Sequence, residues 1–254
     1  MDDPLRKNTY WHIFFDDGGV LNNNDIRGAQ WRKILPQFFI AQFGGTEEIW
    51  SKANYRVIEE LMNDITRRWE TQDRPEDFNE YWGTVMVRWV KHMFEYADIH
   101  LPDIDRIELF KDVSKFVIPQ VRSANVGVQE TLQILWERGY NLYTASGEVS
   151  WELEDYILGM GCESYFHDLY YGPDLINEGK LSPFFFTKIF QDVGILPSQA
   201  IVIDDNPYFL KYAREAGAHI IQSSINGSKQ SVADYIIHEF HEIPAIIEKI
   251  THSP

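Results

Sequence analysis

From about Asn125 onward the chain alternates between two hydrophobic periods, and no other feature limits its fold as much. VQETLQILWERG carries apolar residues at helical spacing and closes at Gly139, and YNLYTAS then reads as a strand. WELEDYILGMG and SPFFFTKIFQDVG follow as helices, QAIVIDD as a strand, PYFLKYAREAG as a helix and AHIIQ as a strand. Strands separated by helices in this way are βαβ units, and such units build a parallel sheet. Only one stretch of the first half matches them: the apolar run Trp11 to Phe15.

The segment between, about Asn22 to Val121, has a different pattern. It is rich in Trp, Phe, Glu and Arg, with apolar residues at helical spacing: Trp31, Ile34, Leu35, Phe38 and Phe39, then Val57, Ile58, Leu61, Met62 and Ile65. Four or five helices are expected, broken near Gly44–Gly45, Arg74–Pro75 and Leu101–Pro102. The expected architecture is an α/β protein with a Rossmann-like parallel sheet. Residues 8–21 and 122–254 would form its core, and 22–121 an inserted all-helical domain. The Trp31, Trp50, Trp82 and Trp89 side chains of the insertion are read mostly as its own core.

Acidic and polar residues gather at the strand ends. IFFDDGGVLNNND places Asp16 and Asp17 after the first strand, followed by glycines that let the chain turn and keep backbone N–H groups open. AIVIDDNP repeats the design with Asp204 and Asp205, and YTASGE ends a strand with Thr144, Ala145 and Ser146. Lys180 lies in EGKLSP, just ahead of a helix. In a parallel sheet every carboxyl end emerges on one edge, where such folds bind ligands, so these groups are expected to converge. Carboxylates beside one lysine suit a hard cation and an anion together: Mg²⁺ on the carboxylates, phosphate oxygens on the lysine, the Thr144 hydroxyl and backbone N–H groups. One at a time, each aspartate also reads as an ordinary turn or helix cap.

Bulk properties narrow the function by exclusion. A formal charge of −16 argues against nucleic acid as a main partner, since phosphate backbones are bound by clustered Lys and Arg. An anionic substrate must then be drawn in by local groups against the overall field. The lone Cys162 excludes an internal disulfide framework, and no apolar stretch approaches the roughly 20 residues of a membrane span. A soluble cytoplasmic protein, monomer or homodimer, is expected. The eight histidines show no metal-ligand spacing.

Four of these stretches, in order, resemble the marks of the haloacid dehalogenase superfamily of hydrolases and phosphatases. They are DDGGVL, the strand end LYTAS, the lysine of GKLSP and the acidic end IVIDDNP. The resemblance covers about Tyr10 to Asp25 and Val126 to Ile247, and the insertion is similar to the family's helical cap. It implies that Asp16 is the nucleophile, forming an aspartyl-phosphate, and that Lys180 and Thr144 act with it. Gly18, Gly19, Thr144, Ala145, Ser146 and Lys180 would bind phosphate. Asp16, the Gly18 carbonyl, Asp205 and Asp204 would hold Mg²⁺. The implied function is Mg²⁺-dependent hydrolysis of a small phosphorylated metabolite.

The pattern is broken at two places. Family members generally show Asp-x-Asp-Gly, and the second aspartate, the usual general acid and base, falls on Gly18. Asp25, Glu148 or a residue of the insertion is left to supply the proton, and slower turnover or a good leaving group is expected, because acid–base catalysis is worth roughly 10²–10⁴-fold. Phe209 stands where relatives often carry Asp or Asn in support of the metal. Two alternatives follow: a metal-independent dehalogenase using Asp16, or a catalytically weak binding protein on this fold.

Overall fold

The computed structural model describes residues 10–71, 73–227 and 231–252. The described residues divide into two compact units, those up to Asn24 with those from Ser123 onward, and those between Asp25 and Arg122.

The first unit is built on a five-stranded parallel sheet in the order β2-β1-β3-β4-β5. Strand β1 is His12–Phe15, and the chain returns to this sheet after the helical unit, whose helices are α1 (Asn24–Phe43), α2 (Glu47–Thr71), α3 (Phe78–Ala97) and α4 (Arg106–Val117). Then come α5 (Val128–Glu137), β2 (Asn141–Thr144), α6 (Ser150–Met160), the single turn α7 (Pro173–Ile176) and α8 (Pro183–Val193). β3 (Ala200–Asp204), α9 (Pro207–Glu215), β4 (His219–Ser223), β5 (Tyr235–Ile237) and α10 (Ile243–Thr251) complete the unit. Each element read from the alternation is present, with α7, β5 and α10 in addition. The sequence ranges 8–9 and 253–254 of the expected core lie outside the described residues.

Both faces of the sheet are covered, which is why β1 and β3 read as continuous apolar runs rather than alternating ones. Ile13, Phe15, Ile201 and Ile203 pack on one face with Leu132, Leu135 and Ile247. Phe14 and Val202 pack on the other with Phe185, Phe186, Ile189 and Leu210. All of these side chains are essentially inaccessible to solvent. Strand order reverses direction at β1, which lies between β2 and β3, and such a switch point opens a crevice at the carboxyl ends of the strands. Phe15 is level with Thr144 on one side and Ile203 on the other, so the next residue, Asp16, leaves the sheet beside Ala145 and Asp204.

Asn22 and Asn23 stay with the sheet unit although sequence pattern assigns them to the insertion. Asn22 pairs with Ala124 in an antiparallel bridge, and the Asn23 N–H donates to the Ser123 carbonyl at 2.7 Å. The helical unit has its own aromatic core, in which Phe39 stacks on Trp50 at 4.4 Å and Trp89 meets Phe110 edge-on at 5.2 Å. Asp77 and Asp105 cap α3 and α4, accepting from Glu80 N–H, and from Ile107 and Glu108 N–H. No helix among the described residues is long and apolar enough to cross a membrane.

Candidate active site

The turn after β1 gives its two aspartates different surroundings. Asp16 N–H continues the sheet by donating to the Ile203 carbonyl at 2.9 Å, and its side chain meets Lys180. Asp17 points the other way and is fully buried. Its Oδ1 accepts from Asn22 Nδ2 at 2.6 Å, and its carbonyl accepts from the Asn22 and Val20 N–H groups. Asn22 Oδ1 in turn accepts from the Ser123 hydroxyl at 2.8 Å, so Asp17 secures the turn while Asp16 faces the crevice.

Gly19 shapes the same turn. Its φ of +82° favours glycine, and a Cβ there would lie 2.6 Å from both Cγ and Oδ2 of Asp205. The backbone is therefore packed directly against that carboxylate. Ser223 Oγ, at the end of β4, donates to the Gly19 carbonyl at 3.0 Å and fixes the turn from the far side. Among the described residues the Gly18 N–H has no hydrogen-bond partner.

Lys180 sits at the centre. It occupies a tight bend ahead of α8, whose first turn is capped by Ser182 and begins with Pro183. Its ammonium is buried and donates to Asp16 Oδ1 at 2.9 Å and to the Ala145 carbonyl at 2.7 Å. Asp204 Oδ2 lies 2.6 Å away, an ion pair whose angles are not those of a hydrogen bond, which leaves this buried oxygen without any hydrogen-bond donor. Asp204 Oδ1 accepts from the Asn206 N–H, and Asn206 caps α9. Burial opposes the charge on Lys180, but the Asp16 and Asp204 carboxylates outweigh it and push its pKa up to about 12. Asp204 is raised to about 7, chiefly by burial, with the Asp16 charge adding to the rise and Lys180 and the Asn206 N–H opposing it.

Asp16, Asp204 and Asp205 each offer a carboxylate oxygen within 4.8 Å of the others. Hard oxygen donors so grouped, one of them buried without a donor, fit a small divalent cation.

Not every group read from the sequence is open to a ligand. Ala145 donates its N–H to the Phe15 carbonyl at 2.8 Å, because the β2–β1 ladder runs one residue beyond the strand end. It serves the site through its carbonyl, which holds Lys180, and its amide is not available to phosphate. The Thr144 hydroxyl is fully buried and turned toward the Tyr171 carbonyl, 3.4 Å away, since Thr144 lies on the opposite face of the sheet from Asp16. Ser146 accepts from the Glu148 N–H and keeps its hydroxyl proton for donation. Asn22, Ser223 and the rings around Lys180 had no signal in the sequence pattern. They reach the site through sequence separations that no local period records.

The description haloacid dehalogenase-like hydrolase fits residues 12–217 as a family model. The chain belongs to the haloacid dehalogenase-like hydrolases. Solved structures of family members share the fold. The putative HAD-hydrolase YfnB from Bacillus subtilis, bound to magnesium, is 15% identical with a TM-score of 0.65, covering 94% of this chain and 99% of that one. The 2-haloacid dehalogenase from Pseudomonas syringae pv. Tomato DC3000 is 17% identical at 0.64, covering 94% and 98%. The L-2-haloacid dehalogenase from Xanthobacter autotrophicus, with chloropropionic acid covalently bound, is 11% identical at 0.62, covering 93% and 98%. No curated protein matches the sequence.

Proposed function

We propose that this family member is a divalent-metal-dependent hydrolase of a small phosphorylated metabolite, with Asp16 as nucleophile. The observation that carries this reading is the acidic trio Asp16, Asp204 and Asp205 gathered around one buried lysine. Without a cation, three carboxylates face one ammonium and leave two uncompensated negative charges, so a phosphate dianion would be repelled. Asp16, Asp204, Asp205 and the Gly18 carbonyl are the groups we assign to Mg²⁺, which when bound polarises a phosphoryl oxygen and offsets the carboxylate charge.

The chain's own residues divide the remaining work. Asp16 attacks phosphorus, the P–O bond to the leaving group breaks, and the resulting aspartyl-phosphate is cleaved by water to release phosphate and restore the carboxylate. Lys180 holds the Asp16 carboxylate in place, donating to Oδ1 at 2.9 Å, and faces the charge that develops on the phosphoryl group. The Gly18 N–H and the Ser146 hydroxyl are the donors we assign to phosphate oxygens, in preference to the Ala145 amide. Position 18 supplies no proton to the departing oxygen, so substrates with good leaving groups are favoured.

Dehalogenation is the second reading, supported by the missing carboxylate at position 18 and by the likeness to haloacid dehalogenases. Asp16 would then displace halide from carbon. The acidic trio weighs against it, because an organic acid would meet clustered negative charge with only Lys180 to offset it.

The deciding experiment is turnover of p-nitrophenyl phosphate and a panel of sugar and nucleoside monophosphates, with Mg²⁺ and with EDTA, for the native chain and Asp16→Asn. Hydrolysis that needs metal and disappears in the variant supports the phosphatase. Chloride release from 2-chloropropionate in EDTA, with no phosphate hydrolysis, replaces it by the dehalogenase. A folded protein inactive in both assays points to a binding role.

A further inference from the structure

The Lys180 ammonium has a fourth neighbour besides its three oxygen contacts. The Phe209 ring centroid lies 5.0 Å from Nζ, and those of Phe186 and Phe185 at 5.9 and 6.0 Å. Phe185 and Phe186 are fully buried members of the cluster on that face of the sheet, so packing alone accounts for them. Phe209 is different. It is half-buried on the first turn of α9, just past Asp204 and Asp205, and belongs to neither core cluster.

We infer that Phe209 is a positioning residue for Lys180, holding the ammonium against Asp16 and Asp204 by a cation–π contact rather than through a further acidic group. Two N–H donors of Lys180 are taken by Asp16 Oδ1 and the Ala145 carbonyl, while Asp204 Oδ2 pairs with the ammonium charge at 2.6 Å. A ring face stabilises the charge without taking one of those donors, and its effect is largest where water is excluded, as it is around this lysine. A carboxylate at the same place would add a negative charge and draw the ammonium away from Asp16. Leu or Met would fill the space and leave the lysine free to drift. In sequence terms Phe209 looks like the loss of a polar group; in the fold it becomes a neutral support for the cation.

The catalytic part of this inference rests on the phosphatase reading, while the geometric part does not, so the test reads both. Phe209→Leu removes the ring, and Phe209→Tyr keeps it. The first readout is the NMR signal of the Lys180 side chain, assigned with Lys180→Arg and recorded without metal or substrate. The ring-current shift from Phe209 is expected to vanish in the Leu variant and to persist in the Tyr variant. The second readout is kinetics on the best phosphate ester. Leu is expected to lower kcat about tenfold with KM within about twofold, and Tyr to stay within about twofold of the native rate. An unchanged Lys180 signal in Phe209→Leu overturns the inference, as does an equal fall in kcat for Leu and Tyr in folded protein. If no phosphate ester is hydrolysed, the phosphatase reading fails, and the NMR readout still decides the position of Lys180.

Discussion

Replacing Lys180 by methionine takes one cation from between two carboxylates while leaving the space filled. Nζ lies 2.9 Å from Asp16 Oδ1 and 2.6 Å from Asp204 Oδ2, and Lys180 is 4% and Asp204 0% exposed. Removing one partner of a buried ion pair costs about 3–5 kcal/mol. Proton uptake sets a ceiling on that loss. Keeping a carboxyl with an ordinary pKa near 3.9 protonated at pH 7 costs about 1.4 kcal/mol per pH unit, or roughly 4 kcal/mol. The two routes agree, so Lys180→Met is expected to lose about 3–4 kcal/mol at pH 7 in EDTA. Asp204, raised to about 7 in the native chain, holds its proton more tightly still without the ammonium, so above about pH 7 the folded variant keeps a carboxyl proton that the native chain has lost. Its deficit must therefore shrink as pH falls from about 9 toward 7, by up to about 1.4 kcal/mol per unit, and level off below that. Chemical denaturation of both proteins across that range measures this directly. Mg²⁺ should restore more stability to the variant than to the native chain, because it enters a site with one more uncompensated charge. A deficit below about 1 kcal/mol at pH 7, or one that does not change with pH, would refute the view that Lys180 is the counter-charge of this cluster.

Other perturbations test neighbouring parts of the site. Gly19→Ala forces a side chain into a φ of +82° and within 2.6 Å of Asp205; a stability loss of about 1–2 kcal/mol is expected. Calorimetric titration of the same variant should show weaker Mg²⁺ binding, since Asp205 must move. Asp17→Ala strands the Asn22 amide in a buried network and should cost about 1–3 kcal/mol in denaturation, while lowering turnover less than Asp16→Asn does. His12 tests the opposite end of the strands. Burial, with the nearby His167 adding to it, lowers its pKa to about 4, and its Nδ1 is buried without a hydrogen-bond partner. The folded pKa lies below the ordinary value, so the associated stability is complete above about pH 6.5 and is lost as pH falls toward 4. With allowance for the ring's partial exposure the loss is about 1 kcal/mol at pH 5, and His12→Phe should remove it from the pH profile of unfolding.

Much of the site was legible without coordinates, because its main groups sit where local patterns end. Apolar runs closing on Asp16 and on Asp204–Asp205 mark strands buried on both faces, and parallel strands bring their carboxyl ends to one edge whatever the details of packing. Lys180 was legible by its place ahead of a Pro-initiated helix, and the insertion by its helical period, although Asn22 and Asn23, read as its start, belong with the sheet unit. Which aspartate of the first pair faces the crevice also followed from the resemblance of DDGGVL to the family's pattern.

What the sequence left open depends on direction and on contacts between distant residues. Strand side chains alternate between faces, so a shift of one position turned Thr144 away from Asp16, and the ladder register gave the Ala145 amide to Phe15. No composition rule states that Asn22 and Ser123 anchor Asp17 across 101 residues, or that Ser223 braces Gly19. Phe209 shows the difference most clearly. As a letter after Asp204 and Asp205 it is an aromatic where a polar group was expected, and only the packing of α9 against the sheet brings its ring to the lysine, because a cation–π contact depends on where the ring face points and not on the residue's place in the chain.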